Sequence, residues 1–378
     1  MEEMIRSGEL PDLSRIEDIE SILVIRLKAL GDIALSLPIP RALKERFPDS
    51  RISYLCWEQY VEALRGEGSI DEVIELRRGI TGQIGAIRRL RKRRFDLAID
   101  LLGSPRSALL TLLSGARIRI GMDVGRHNWC YHFLIPRVML IDGERVKCYT
   151  LDSNRHIIRM LGLRPVGERA GTGGDRSERA GSDGCAIGFP AAETEKEWAR
   201  DYISGLGLER KRLVGVIPAA TYQSKSWPVE GFVQLGRMMK ERFDLVSLVL
   251  WGPGEEERAR WVARSIPGAV CAPETGIARL GALISQLRLL VTTDSGPKHL
   301  AVLQGVPTIT LFGPTDPVIW DPMNDSHDVL YLGAPCAPCK KSSCRPNRCL
   351  SDIEPEDVMR KIAIMIGMEE APMRQREE

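Results

Sequence analysis

The 378-residue chain contains no apolar run near the roughly 20 residues that span a bilayer, so no transmembrane helix is expected. Its first residues, MEEMIRSGELPDLSRIEDIE, are polar and carry acids, unlike a secretory leader, and a cytoplasmic location is expected. Neither charge sign dominates. The net charge of +2 provides no global reason to expect nucleic acid as a partner. Nine cysteines are too few for a secreted disulfide scaffold of this length. Five of them (Cys56, Cys130, Cys148, Cys185 and Cys271) are scattered and read as small, reduced packing residues. A G-x-G-x-x-G fingerprint is also missing, which argues against a dehydrogenase.

What is present is an ordinary globular composition, 43% hydrophobic and 28% charged. At roughly 150 residues per domain the length predicts two domains. Short apolar runs predict strands at 21–27, 51–57, 71–76, 95–101 and 116–122, with helical stretches between them. A second series follows, with strands at 212–218, 245–252, 287–294 and 307–314, the last clear one. Helices are expected over 229–241, 255–265 and 297–304. Alternation of this kind means parallel βαβ units. Between the two series, VGERAGTGGDRSERAGSDG has almost no apolar residue and reads as a linker or insertion over 166–186. The expected organisation is an extension over 1–20, domains over 21–165 and 187–354, and a C-terminal helix and tail over 355–378.

In open α/β sheets, ligands bind beyond the carboxyl ends of the strands, and here those ends carry unusual residues. The strand LRLLVTTD runs into SGPKHLAVLQG. Gly296 permits close backbone approach, Pro297 suits a helix start, and the N–H groups of that start can bind phosphate. His299, in the first turn, can add a hydrogen bond or a positive charge. The plain alternative is that Asp294 or Ser295 only caps the helix. RLVGVIP is followed by AATYQSKSWP, in which Lys225 can neutralise a phosphate, although a single Lys is usually only solvated. The third strand end, WGPGEEE, offers carboxylates for ribose hydroxyls or simply acids that favour a helix N-terminus. In the first half, Asp32 follows the first strand as a candidate general base or a helix-start residue.

Taken together, IRLKALGDIALSLPIPRALKERFP, RFDLAIDLLG, IPAATYQSKSWPVEGF, WGPGEEER and TTDSGPKHLAVLQGVPTITLFGPTDPVIWDP resemble the family 9 glycosyltransferases, the bacterial lipopolysaccharide heptosyltransferases. The likeness runs from about Ile22 to Val358. It implies an α/β glycosyltransferase-B fold, two Rossmann-like domains with parallel sheets facing a central cleft. The activity implied is inverting transfer of heptose from ADP-L-glycero-D-manno-heptose to a lipopolysaccharide inner-core acceptor. Asp32 matches the family's catalytic base. Thr221, Lys225, Glu255, Asp294, Gly296 and His299 match its donor-nucleotide contacts. Ala220 stands where some members carry Thr. The segment ETGIARL departs from the more usual Gly-Thr-containing one. The chain has no Asp-x-Asp pair, so a metal-bridged diphosphate is not expected and transfer should need no cofactor. Rival readings are a relative using another nucleotide sugar, a sugar-nucleotide epimerase, and a non-catalytic nucleotide-sugar-binding protein. Retention of Asp32 together with the donor-site residues argues against the last.

Two features stand apart. RRLRKRR (88–94) reads either as a solvated basic face or as a surface for anionic lipid head groups and an acidic glycolipid, placing the protein at the cytoplasmic face of the inner membrane. CAPCKKSSCRPNRC places Cys336, Cys339, Cys344 and Cys349 at a spacing that allows a structural zinc ion or iron–sulfur cluster. Reduced packing cysteines are the main alternative, with a disulfide third.

Overall fold

The structure is a computed structural model, and it describes residues 10–136, 139–141, 144–166, 188–220, 222–339 and 341–367. Apart from Val166, the linker expected over 166–186 lies outside the described residues, as does Thr221. The chain forms two compact units, Met1–Glu178 and Arg179–Glu378.

The first unit is built on six parallel strands: β1 (Ser21–Ile25), β2 (Arg51–Trp57), β3 (Glu72–Leu76), β4 (Leu97–Asp100), β5 (Ile118–Met122) and β6 (Phe133–Ile135). A small antiparallel pair follows, β7 (Met139–Ile141) with β8 (Glu144–Val146). The helices are α1 (Leu30–Leu35), α2 (Pro38–Arg46), α3 (Gly79–Arg93), α4 (Pro105–Leu113) and α5 (Thr150–Met160). β1 is buried throughout except at Ser21, as a central strand covered on both faces must be. One face of the sheet packs Ile22, Val24, Ile52 and Ile99 with Ile33, Leu37, Leu43 and Ile158 of the helices. The other packs Leu23, Ile25, Leu55, Ile74 and Ala98 with Ala86 and Leu90 of α3 and Leu110 of α4. The two sets alternate along each strand with the period of two that a pleated strand imposes.

The second unit repeats the plan. Its strands are β9 (Leu213–Val216), β10 (Val246–Val249), β11 (Val270–Cys271), β12 (Leu289–Thr293), β13 (Thr308–Phe312) and β14 (His327–Tyr331). Its helices are α6 (Glu193–Gly205), α7 (Val229–Phe243), α8 (Glu256–Ser265), α9 (Ile277–Ser285), α10 (Gly296–Leu303), α11 (Pro317–Trp320), α12 (Arg348–Ser351) and α13 (Pro355–Ile366). Helix α13 packs on α7 and β13, with Val358, Met359 and Ile362 in the core.

The strand orders are β3-β2-β1-β4-β5-β6 and β11-β10-β9-β12-β13-β14. Counted within each unit, both are 3-2-1-4-5-6, the doubly wound order in which ligands bind where the order reverses. That switch point lies between β1 and β4 in the first unit and between β9 and β12 in the second. PTITLFGP is not the last strand. β14 follows it, and β6 and β11 were also unread. Three residues of β6 and two of β11 are too few to show a periodicity, and β14, HDVLY, is an edge strand with only its first residue buried.

Candidate functional site

At the switch point of the second unit, the carboxyl ends of β9 and β12 bring together two segments far apart in sequence. Lys225 ends a 3-10 turn, Gln223–Lys225, after β9. Asp294 follows β12. The Lys225 Nζ donates to Asp294 Oδ2 at 2.7 Å, and Thr315 Oγ1, after β13, donates to the same oxygen at 2.8 Å. Asp294 is 6% exposed. Burial pushes its carboxyl pKa up, but the charges of Lys225 and Lys298 outweigh that and hold it below the usual carboxylate range. It is therefore an anion at neutral pH, and it holds the Lys225 ammonium in place.

Gly296 opens α10 and Pro297 takes the second helical position, where its missing N–H again costs nothing. Ser295 is the N-cap by position, yet no side chain makes a capping bond. Neither Asp294 nor Ser295 is spent as a helix cap, so the first turn of α10 keeps its dipole and amides for an anion.

His299 lies in this turn but is 3% exposed. Its ring meets Trp320 edge-on, with centroids 6.1 Å apart. Burial and the charge of Lys298 push its pKa well below the ordinary imidazole value. It is neutral at pH 7, which corrects the expectation that it could add a positive charge.

Lys298 was not singled out by the sequence reading. It is fully buried, donates to the Trp320 carbonyl, and reaches Asp321 Oδ2 at 3.1 Å with both side chains inaccessible. Its ammonium also lies 5.2 Å from the centre of the Phe312 ring. This pair pins α10 to the segment after α11. Its one sequence signal is position: Lys298 shares a helix face with buried Ala301, three residues on.

Glu255 accepts the Gly252 N–H at 2.9 Å and sits at the N-cap of α8, the local role that the acids of WGPGEEE allowed. It also lines a cavity of about 880 Å³ with Ala219, Ala220, Gly254, Arg258 and Trp261. A smaller cavity of about 310 Å³ shares Ala220 and Arg258 with it and adds Gln223, Trp227 and Asn347. Lys225, Asp294, Gly296 and His299 line neither.

In the first unit, Asp32 is the third residue of α1. Its Oδ2 accepts the Ala29 N–H at 3.1 Å, so the helix-start role is real. Its Oδ1 also accepts from the Arg26 guanidinium, which donates in addition to the Leu101 carbonyl after β4. Arg26 was missed as well. Each unit thus sends a cation from the end of its first strand across the switch point to the end of its fourth.

The cysteine segment lies between β14 and α12. Cys336 is exposed and Cys339, Cys344 and Cys349 are partly buried, all as free thiols. Burial first, then the neighbouring thiols Cys336, Cys344 and Cys339, push the Cys349 pKa up, so it is a protonated thiol at neutral pH. Among the described residues no group of three or more His, Cys, Asp or Glu is placed to hold a metal ion. The segment does brace the site. Ser224 Oγ donates to the Lys341 carbonyl at 2.6 Å, Asn347 Nδ2 to the Ser226 carbonyl at 2.8 Å, and the Cys339 N–H to the Pro314 carbonyl at 2.7 Å. Those contacts hold the turn that carries Lys225 and the turn beside Thr315.

Residues 184–349 match the model of glycosyltransferase family 9 (heptosyltransferase). The chain is 25% identical over 343 residues to lipopolysaccharide heptosyltransferase 1 of Pseudomonas aeruginosa, covering 85% of this chain and 87% of that one. The family 9 glycosyl transferase structure from Veillonella parvula superposes with a TM-score of 0.75 at 22% identity, over 93% of this chain and 98% of that one. E. coli heptosyltransferase WaaC with ADP-2-deoxy-2-fluoro heptose superposes at 0.65 and 19%, over 90% and 98%. This chain's two six-stranded parallel sheets and these superpositions give the glycosyltransferase-B fold expected from the motifs. From the motif order, the doubly wound units and these matches together, the chain has the glycosyltransferase-B fold and is similar over most of its length to the family 9 glycosyltransferases.

Proposed function

We propose that this protein transfers heptose from ADP-L-glycero-D-manno-heptose to a lipopolysaccharide inner-core acceptor, with inversion at the anomeric carbon and without a metal ion. The observation that carries this reading is the Lys225–Asp294 pair beside the uncapped start of α10. A fixed cation and a helix N-terminus at one switch point suit a diphosphate. The structural relative solved with ADP-2-deoxy-2-fluoro heptose supports an ADP-linked heptose as donor.

In the proposed reaction the acceptor hydroxyl attacks the anomeric carbon from the face opposite the diphosphate. Asp32 takes the hydroxyl proton as the new C–O bond forms. The bond from the anomeric carbon to the diphosphate oxygen breaks, and ADP leaves with the electron pair. Lys225 and the amides at the start of α10 stabilise the charge that grows on the diphosphate, and being fixed beforehand they need no reorganisation. Neutral His299 supports the turn by packing against Trp320. Glu255 and Thr221 complete the nucleotide contacts. The acceptor is lipid-borne, so the protein works as a peripheral enzyme at the inner-membrane surface.

The decisive measurement is binding of ADP against UDP, GDP and CDP, followed by transfer from ADP-heptose. The expected result is a preference for ADP and release of ADP with an inverted product. A preference for UDP would replace the donor assignment.

A further inference from the structure

The basic run has a partner feature that sequence reading did not connect with it. Helix α3 buries Ala86 and Leu90 and packs against β3 and α4. On its opposite flank, Ile80 is 77% exposed and Ile84 43% exposed. Arg88 and Lys92 continue the same series at i+8 and i+12. Four residues advance the helix by 40° beyond a full turn, so Ile80, Ile84, Arg88 and Lys92 form one continuous stripe. Its first half is apolar and its second half cationic.

The five cations within α3 fall into two groups. Arg93 pairs with Glu72 at 2.7 Å, Arg89 donates to the Glu75 carbonyl, and Arg91 donates to the Leu113 carbonyl. These three are held back onto the unit. Arg88 and Lys92 have no acidic partner among the described residues, and both are exposed. A merely solvated basic face accounts for Arg88 and Lys92. It does not account for two isoleucines set outward at one helical spacing, the first of them three-quarters exposed.

We propose that this stripe of α3 docks the protein on an anionic lipid bilayer. Ile80 and Ile84 enter the boundary between head groups and acyl chains, and Arg88 and Lys92 engage the phosphates beside them. An amphipathic helix lying in the interface has this make-up, with apolar residues on one part of its exposed face and Lys or Arg on the other. Charge complementarity selects the occupant, because unpaired cations flank the apolar pair and no exposed acid lies in the stripe. The inference rests on the glycolipid-acceptor reading only in expecting a membrane nearby. It adds the surface, its residues and the lipid charge that it requires.

The test is flotation of the full-length protein with phosphatidylcholine vesicles, with and without phosphatidylglycerol, and no glycolipid. The protein should float only with the anionic vesicles, and salt should weaken the binding. Ile80→Asp/Ile84→Asp and Arg88→Glu/Lys92→Glu should each lower partitioning by more than about tenfold. ADP binding by every variant should stay at the wild-type value, which shows that they fold. Wild-type protein that stays unbound, or that floats equally without phosphatidylglycerol, overturns the proposal. So does Ile80→Asp/Ile84→Asp protein that floats like wild type. Concentration-dependent self-association that Ile80→Asp/Ile84→Asp abolishes would assign the stripe to a second copy instead. Failure of the wild type to bind ADP would sink the transferase reading while leaving the flotation result intact.

Discussion

Lys225 and Asp294 meet across the strand-order reversal of the second sheet, 69 positions apart in sequence and 2.7 Å apart in space. The carboxylate is buried and the ammonium is partly open, with side-chain exposures of 6% and 24%. The pair therefore has an inner member that positions and an outer member able to meet a ligand. Lys225→Met should cost up to about 3 kcal/mol of stability, because it leaves a buried carboxylate without its main cation. Lys225→Met/Asp294→Asn should recover most of that stability yet still bind ADP weakly. Urea unfolding and ADP titration on both variants separate the two effects. Restored ADP binding in the double variant would show that Lys225 does not touch the nucleotide.

Asp32→Ala should lower the transfer rate by about 10²–10⁴-fold, the usual range for loss of a general base. ADP binding should remain near wild type, since Asp32 belongs to the first unit and the proposed donor contacts to the second. Single-turnover kinetics and calorimetry measure the two quantities. Wild-type turnover would end the base assignment. Arg26→Met should also reduce turnover, because the guanidinium holds the Asp32 carboxylate.

The buried Lys298–Asp321 pair predicts an asymmetry. Lys298→Met alone should cost about 3–5 kcal/mol, because Asp321 would remain charged and buried. Lys298→Met/Asp321→Leu should be much closer to wild-type stability, as replacing both members of a buried pair removes the uncompensated charge. Thermal unfolding of the two variants is the check, and equal losses would contradict the ion-pair account.

His327 sets a pH window. Its Nδ1 lies 3.0 Å from Thr308 Oγ1, its neighbour across β13 and β14. Burial first, and then the charge of Lys298, lower its pKa from 6.5 to about 4. Between those values the unfolded chain binds a proton that the folded chain does not. Stability therefore rises with pH across the window and falls as pH drops from about 6.5 to about 4, by up to about 3 kcal/mol. His299, lowered in the same direction, adds to the slope. Unfolding midpoints of His327→Gln should vary less between pH 7 and pH 5 than those of wild type. An unchanged slope would assign the pH dependence elsewhere.

The brace beside the site can be probed without touching the ligand contacts. Asn347→Ala removes the bond to the Ser226 carbonyl, and Ser224→Ala removes the bond to the Lys341 carbonyl. Each should raise the KM for donor by a few-fold with little change in kcat, because the Lys225 turn becomes less fixed. A change in kcat alone would point to a different role for the segment.

Most strands and the long helices were legible because each carries its own signal. VTTD after LRLL ends a buried run in polar residues, and SGPKH supplies the helix start that follows. The residues of the turn from Asp294 to His299 were readable for the same reason. What they do with one another was not. Nothing local says that Asp294 spends its carboxylate on Lys225 and Thr315 and leaves the helix start uncapped, or that His299 is neutral. Lys298 looked like any lysine until Asp321, 23 residues on, was found against it. The four cysteines were legible only as a spacing, while the structure shows that their segment braces the Lys225 turn.

The amino-acid order alone determined two units of alternating strands and helices, the strand ends where a ligand would bind, and the residue types available there. Hydrophobic periodicity and glycine or proline punctuation act over a few residues, and a linear reading detects them. Tertiary structure decided which of those side chains are paired, charged and exposed. Pairing across a switch point depends on strands distant in sequence, and charge depends on burial that only packing creates.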